Sequence, residues 1–241
     1  MAEQETVDFL NFFFGVGLTI LWTTIVTTAF AILDHMDGLC AGVAAIIAGF
    51  FLVLALVQGQ FLLAVLASSL IGANIGFLFW NRAPASIFMG DSGALLIGFL
   101  ISALAIMLRF WNLTPATSWM IPVVVLAVPL FDITLVVYSR IRRGLSPASG
   151  GKDHLAHRLT AFGMEKRKAV RIIYLATVLT GLLALLLAHV GIRTAILLFT
   201  GLVEVAIIAV AKLEEGMTAQ APKVPRVPRS EEPGPKFPNP G

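Results

Sequence analysis

Three short polar clusters interrupt an otherwise apolar sequence, and each holds residue types suited to metals or phosphate. They are Asp34-His35-Met36-Asp37-Gly38, Gly90-Asp91-Ser92-Gly93 and Asp153-His154-Leu155-Ala156-His157-Arg158. Asp91 lies between two stretches long enough to cross a bilayer. A charge beside hydrocarbon is costly, which makes it a functional candidate by default. Gly90 and Gly93 permit a tight turn and close backbone approach. Ser92 is placed to cap a following helix, whose free N–H groups favour an anion such as phosphate. A carboxylate at such a place is a natural Mg²⁺ ligand, because Mg²⁺ commonly takes one or two carboxylates together with substrate phosphate oxygens. Simple capping by Asp91 and Ser92 accounts for the same residues equally well.

Asp34 and Asp37 are spaced i, i+3, so a helix continuing this far would project both from one face. Such a pair could hold a metal, orient a hydroxyl, or grip a ribose or uracil. The alternative is that they end a span, with Gly38 as its cap, but acids at a helix C-terminus oppose the dipole. Asp132 stands inside an apolar run and needs a partner or a metal. Pairing with a neighbouring helix and a direct catalytic role are equally good readings of it. Asn74 suits a hydrogen bond between helices, whereas Asn81 is closer to the candidate site. His154 and His157 have a spacing seen in metal ligands. A zinc site needs more ligands, however, and His35 and His189 are poorly placed to supply them. With Arg158, the pair better suits a polar patch for a diphosphate, since the guanidinium fork is planar and always charged. Most of Arg140, Arg142, Arg143, Lys166, Arg167 and Lys168 are read as topology signals.

The elements that must position these clusters follow from composition. Of the 241 residues, 58% are hydrophobic and 13% charged, against about a quarter charged in soluble domains. This predicts an all-α, polytopic helical membrane protein. The net charge of +3 would suit a nucleic-acid binder, but the apolar content excludes one. Seven spans are predicted, at about 10–33, 40–57, 60–80, 93–110, 119–139, 169–188 and 193–211, each near the ~20 residues needed to cross the hydrocarbon core. The segment Met1 to Asp8 is acidic and lacks the basic start of a secretory signal, so the first stretch is expected to stay in the membrane. Cys40 is the single cysteine, which rules out an intrachain disulfide. If the Asp34–Asp37 loop faces the cytoplasm, 15 of the 17 lysines and arginines do so too; Arg109 and Arg193 remain outside. The positive-inside rule therefore predicts an external amino terminus and a cytoplasmic carboxyl terminus. All three polar clusters then meet at the cytoplasmic face. Trp80, Trp111 and Trp119 fall at span ends, as interfacial tryptophans do; Trp22 falls mid-span. Residues 1–211 form the membrane domain, and 212–241, rich in Pro, Lys, Arg and Glu, is expected to be a disordered cytoplasmic tail.

These motifs, in this order, resemble the polyprenyl-phosphate N-acetylhexosamine-1-phosphate transferase superfamily, glycosyltransferase family 4. The resemblance runs from about Leu18 to Val170. It takes in Asp34-His35-Met36-Asp37-Gly38 with Ala41-Gly42, Gly76-Phe77-Leu78, Asn81, Pro84-Ala85 and Phe88-Met89-Gly90-Asp91-Ser92-Gly93. It continues through Pro129-Leu130-Phe131-Asp132, Arg140, Arg143-Gly144, Ser146-Pro147, Asp153-His154 and His157-Arg158-Leu159. The pattern is closer to the sugar-phosphate transferases of cell-surface polymers than to the muramoyl-pentapeptide branch, which typically carries three consecutive histidines in the last loop.

The resemblance implies attack of a polyprenyl-phosphate oxygen on the β-phosphorus of a UDP-N-acetylhexosamine. UMP leaves, and the product starts a lipid-linked glycan such as lipopolysaccharide or teichoic acid. It implies Asp91 as ligand of Mg²⁺ (or Mn²⁺ in its place), and Asp34 and Asp37 with Asn81 around the nucleotide and diphosphate. His154, His157 and Arg158 would engage the sugar donor. The implied location is the plasma (inner) membrane. Members usually have ten or eleven spans and an amino-terminal Asp-Asp motif, which is absent from these 241 residues. They also usually carry Asn at the positions of Thr28 and Ala31, and commonly at His35. Three expectations follow, in order: part of a longer active protein, a shorter non-catalytic paralogue that binds lipid phosphate or nucleotide-sugar, and a minimal enzyme completed by oligomerisation, for which a homodimer is the simplest form. A small transporter ranks below all three, because the polar residues gather at one face instead of lining a path.

Overall fold

The computed structural model describes residues 2–146, 151 and 153–220. Every regular element among them is a helix. The long helices are α1 (Ala2–Leu33), α2 (Leu39–Val57), α3 (Phe61–Asn81), α4 (Gly90–Met107), α9 (Lys166–Leu187) and α10 (Ile192–Gln220). Between them come α5 (Pro115–Ser118), α6 (Met120–Val125), α7 (Ala127–Arg142) and α8 (Leu155–Ala161). Among the described residues, six helices are individually long and apolar enough to cross a membrane.

The expected fifth span is the exception. It is a broken pair, α6 and α7, interrupted at Leu126 (φ −90°, ψ 9°). Pro129 explains the break, because it has no N–H to offer the Val125 carbonyl and its ring crowds that oxygen. The Leu126 and Leu130 amides still bond to the Pro122 and Leu126 carbonyls, so the chain continues in nearly the same direction. The other discrepancy is at the end: α10 does not stop near residue 211 but continues to Gln220. The rest of the expected tail, 221–241, lies outside the described residues.

Helix α2 lies centrally, packed on α3, α9 and α4, while α1 packs on α4 and α7, and α6 on α9. The core includes Phe30, Leu33, Ile47, Phe51, Leu54, Ile101, Ile121, Leu126 and Ile173, all nearly inaccessible. Trp22 packs against this core. Asn74 bonds to Leu70 within its own helix and not, as expected, to a neighbouring one. Small residues let helices close up where lipid offers no hydrophobic drive to associate. A Cβ at Gly98 would lie 2.8 Å from the Thr27 Cα of α1, and one at Gly181 would lie 2.1 Å from the Phe50 ring of α2. Large apolar side chains point outward along α1, α3, α4 and α10, among them Phe14, Phe61, Leu62, Leu96, Leu197 and Ile207. Apolar exposure on this scale fits contact with acyl chains. Trp80, Trp111 and Trp119 are exposed near helix ends, where an interface would hold them.

Candidate functional site

Helix α1 ends at Leu33, so Asp34 and Asp37 do not share a helical face. They occupy the turn between α1 and α2, and each carboxylate reaches across to the loop that joins α3 to α4. Asp34 Oδ2 accepts the Gly90 N–H at 3.1 Å, and Asp37 Oδ2 accepts the Ala85 N–H at 3.1 Å. Asn81 completes the stitching: its Oδ1 accepts the Gly38 N–H at 3.0 Å, and its Nδ2 donates to the Ile87 carbonyl at 2.9 Å. Gly38 adopts φ 76° and Gly90 φ 69°, the left-handed region where a side chain is strained. Gly38 caps the start of α2 and not the end of α1.

Helix α4 begins at Gly90, with Met89 as its N-cap and no side-chain capping bond. Ser92 is therefore not the cap, and Asp91 stands in the first turn as an exposed carboxylate. The capping explanation of these two residues falls away. Asp34 is half-buried; burial raises its carboxyl above the usual range, the Gly90 N–H opposes this, and the charge of Asp91 adds to the rise. Two carboxylates thus stand close enough to repel, next to the backbone N–H groups at a helix start.

The third cluster is organised from helix α7. Asp132, 1% exposed, accepts the Leu155 N–H at 2.6 Å and faces His154 Nδ1 at 3.3 Å. Its partner is thus the start of α8, not a neighbouring span. Asp153 is gripped by Arg140 Nε at 3.3 Å and by the Arg143 guanidinium. Burial pushes the Asp153 carboxyl up, but hydrogen bonds and charge from Arg143 and Arg140 outweigh it and hold it below the ordinary range. These two arginines organise the site loop, a role beyond topology.

Arg158 is 1% exposed and does not line an open surface. It donates to the Asp153 carbonyl (2.8 Å) and the Leu213 carbonyl (3.3 Å), and pairs with Glu214 Oε1 of α10 at 2.6 Å. These contacts, one from each of its three nitrogens, join the loop to α10. Arg140, Arg143 and Arg158 all converge on the segment 153–158, so the histidine loop is fixed from both α7 and α10.

His35 stacks on His154, with ring centroids 4.4 Å apart, and its ring centre lies 4.8 Å from that of His157. The sequence expectation that His35 is badly placed to join the other histidines is thereby corrected; the turn after α1 folds it over α8. Burial lowers the His35 pKa to about 4, helped by His154 and His157 and opposed by the Ile32 carbonyl and Asp132. The folded turn therefore holds a neutral ring. Its stabilising contribution is complete above the ordinary value of 6.5 and is lost as pH falls toward 4, because the unfolded state binds the proton first. Amide-exchange protection of the 34–38 turn and of α8, corrected for intrinsic rate, should decline across that window. It should be flat in His35→Asn; a wild-type turn indifferent to pH there would contradict the assignment.

A pocket of about 520 Å³ opens between the Asp37 turn and the start of α9. Arg82, Lys166, Arg167, Arg171 and His157 bring cationic or titratable groups to it, with Asp37 and Tyr174 also on its wall. Arg167 donates to the Ala83 carbonyl at 3.0 Å, fixing the α3–α4 loop from a second side. Tyr174 Oη donates to the Gly38 carbonyl at 2.5 Å. It lies so close to α2 that a Cβ at Gly42 would sit 2.0 Å from that oxygen. The sequence reading missed these cations because topology already explained them. A signal was available: Lys166 and Arg167 begin a helix, where positive charge is electrostatically unfavourable unless an anion compensates. Asp34, Asp91, Asn81 and His154 do not line this pocket. The site thus has two parts, a cationic pocket and an acidic corner, joined by the stitched 82–90 loop.

The family model for glycosyl transferase family 4 matches residues 3–109. A probable undecaprenyl-phosphate N-acetylglucosaminyl 1-phosphate transferase of Bacillus subtilis is 39% identical over 175 residues, covering 70% of this chain and 49% of that protein. The decaprenyl-phosphate N-acetylglucosaminephosphotransferase of Mycolicibacterium smegmatis is 36% identical over 179 residues, 66% of this chain and 43% of its own length. A phospho-N-acetylmuramoyl-pentapeptide-transferase of Rubrobacter xylanophilus is 38% identical over a shorter 133 residues, 54% of this chain and 39% of its own. The chain belongs to glycosyl transferase family 4. It spans about half the length of the curated relatives it matches.

Proposed function

We propose that this chain carries the donor-binding and metal-binding site of a sugar-1-phosphate transferase. The reaction transfers N-acetylhexosamine 1-phosphate from a UDP-sugar to polyprenyl phosphate at the cytoplasmic membrane face. An oxygen of the polyprenyl phosphate forms the new bond to the β-phosphorus. The bond from that phosphorus to the oxygen bridging the two phosphates breaks, and UMP leaves with the electron pair. The observation that carries this reading is the cationic pocket set against the Asp34–Asp91 corner across one loop.

Phosphoryl transfer asks chiefly for positioning and charge neutralisation. Arg82, Lys166, Arg167 and Arg171 supply fixed positive charge for a diphosphate, and His157 a nitrogen beside it. The residues fit a divalent cation: Asp91 is exposed, and Asp34 is a carboxylate under pressure from burial and from its neighbour. Asp91 with Asp34 would hold Mg²⁺, which when bound would neutralise phosphate charge. Asp37 and Asn81 keep the pocket and the acidic corner in register by fixing the loop between them. Asp132 aims His154 and starts α8.

Removing one pocket cation tests the donor assignment. Arg171→Ala should weaken UDP-GlcNAc binding about tenfold to a hundredfold, the scale of one charge-assisted hydrogen bond at ~1.5–3 kcal/mol. Binding equal to wild type would place the nucleotide-sugar elsewhere. The same reading puts α8 in the cytoplasm. Glu165→Cys, exposed at the start of α9, should react with an impermeant maleimide only after cells are opened, while buried Cys40 stays silent. Labelling in intact cells would reverse the orientation.

A further inference from the structure

We infer that His35, Asp132 and His154 form a binding site for a borderline divalent cation of the Zn²⁺ type, distinct from the acidic corner at Asp91. The three come from the turn after α1, the middle of α7 and the residue that starts α8. One ligand atom from each lies within 4.8 Å of the others.

The donor chemistry is specific. His35 Nδ1 lies 2.9 Å from the Ile32 carbonyl, an acceptor only, so Nδ1 carries the proton and Nε2 carries a lone pair. That Nε2 is buried and has no hydrogen-bond partner among the described residues. An unsatisfied buried nitrogen is costly, and a ring oriented by Nδ1–H to a carbonyl is the usual second-sphere arrangement of a metal-bound histidine. Asp132 is oriented from two sides, by the Leu155 N–H and by His154. Two imidazole nitrogens and one carboxylate oxygen are a Zn²⁺ donor set that leaves a fourth position open. Mg²⁺ prefers oxygen donors, whereas imidazole suits Zn²⁺, Cu²⁺ and Ni²⁺.

The geometry requires a modest contraction. Bonds of ~2.0–2.2 Å in a tetrahedron place ligand atoms about 3.4 Å apart, so atoms now within 4.8 Å of one another must close by up to about 1.4 Å. His35 is the member best able to move, because it sits in a turn and not in a helix. His157 stands beside it, 4.8 Å between ring centres, and lines the cationic pocket. A cation here would pin the turn after α1 to the histidine loop and add positive charge behind that pocket.

The test needs no substrate, so its failure leaves the transferase reading intact. The full chain, purified in detergent and stripped with EDTA, is titrated with Zn²⁺, and with Co²⁺ as a spectroscopic probe. One ion per chain is expected, with intense visible Co²⁺ absorption and no displacement by millimolar Mg²⁺. His35→Asn and His154→Gln should each weaken binding by about tenfold to a hundredfold, comparable to the effect of disturbing a metal's immediate surroundings. His189→Ala, at the far end of α9, should not. His35→Asn is the deciding variant, because it leaves the buried Asp132 contacts in place. Absence of saturable binding, displacement by Mg²⁺, or unchanged affinity in a folded His35→Asn protein would overturn the proposal.

Discussion

Asp91→Asn should reduce sugar-phosphate transfer by at least about 10²–10³-fold, the scale of losing one charge-stabilising group at a phosphoryl or acyl centre. The substitution keeps the shape of the side chain and removes its charge. Asp91 is exposed in the first turn of α4, where its charge contributes only about 0.3–1 kcal/mol to the helix start. Helix content and detergent stability should therefore match the wild type. The Mg²⁺ dependence of nucleotide-sugar binding should weaken in parallel. The variant has a second signature: Asp34 loses a repelling neighbour, so its carboxyl should move back toward the ordinary value. Wild-type turnover in Asp91→Asn would remove the metal from this corner.

The second large effect concerns the buried pair Arg158–Glu214. Arg158→Met should destabilise the chain by about 3–5 kcal/mol, because it removes the guanidinium that pairs with Glu214, a residue only 6% exposed. The double variant Arg158→Met/Glu214→Leu should recover most of that loss, since apolar replacements of a buried pair are often near neutral. The cycle also separates two roles for Arg158. If it fixes the histidine loop, as its burial indicates, the double variant should bind nucleotide-sugar nearly as well as wild type. A stable double variant that has lost donor binding would return Arg158 to direct contact with the diphosphate. Thermal unfolding with UDP-GlcNAc binding on the same preparations reads both outcomes.

The membrane architecture was legible because it depends on local quantities. Apolar run length located α2, α3, α4 and α9, the end of α1 and the start of α10 within a few residues, but not the first turns of α1 or the last turns of α10. Pro129 was visible in the sequence, yet its consequence, the break at Leu126, is easily overlooked when a run is judged by hydropathy alone. In the site, Asp34, Asp37 and Asn81 were identified from spacing and motif. What they do locally was not, since their partners, Gly90, Ala85 and Gly38, are set by the meeting of two loops. The cations of the pocket were hidden by a sufficient competing explanation, the positive-inside rule. The structural contact of Arg158 was illegible for a deeper reason. Its partner Glu214 lies 56 positions away in a stretch that composition assigned to a tail, and no local pattern announces that contact. His35 is a similar case: its stacking on His154 exists only because the turn after α1 meets the residue that precedes α8.

The most direct test of the account is sugar-phosphate transfer by membranes whose sole source of the activity is this 241-residue chain. Labelled UDP-GlcNAc, undecaprenyl phosphate and Mg²⁺ are supplied, with Asp91→Asn and EDTA as controls, and a second arm measures donor binding. The account predicts Mg²⁺-supported UDP-GlcNAc binding to the chain, and that any lipid-linked product disappears in both controls. Folded chain that neither binds the nucleotide-sugar nor forms product, or product that persists in Asp91→Asn, would contradict it.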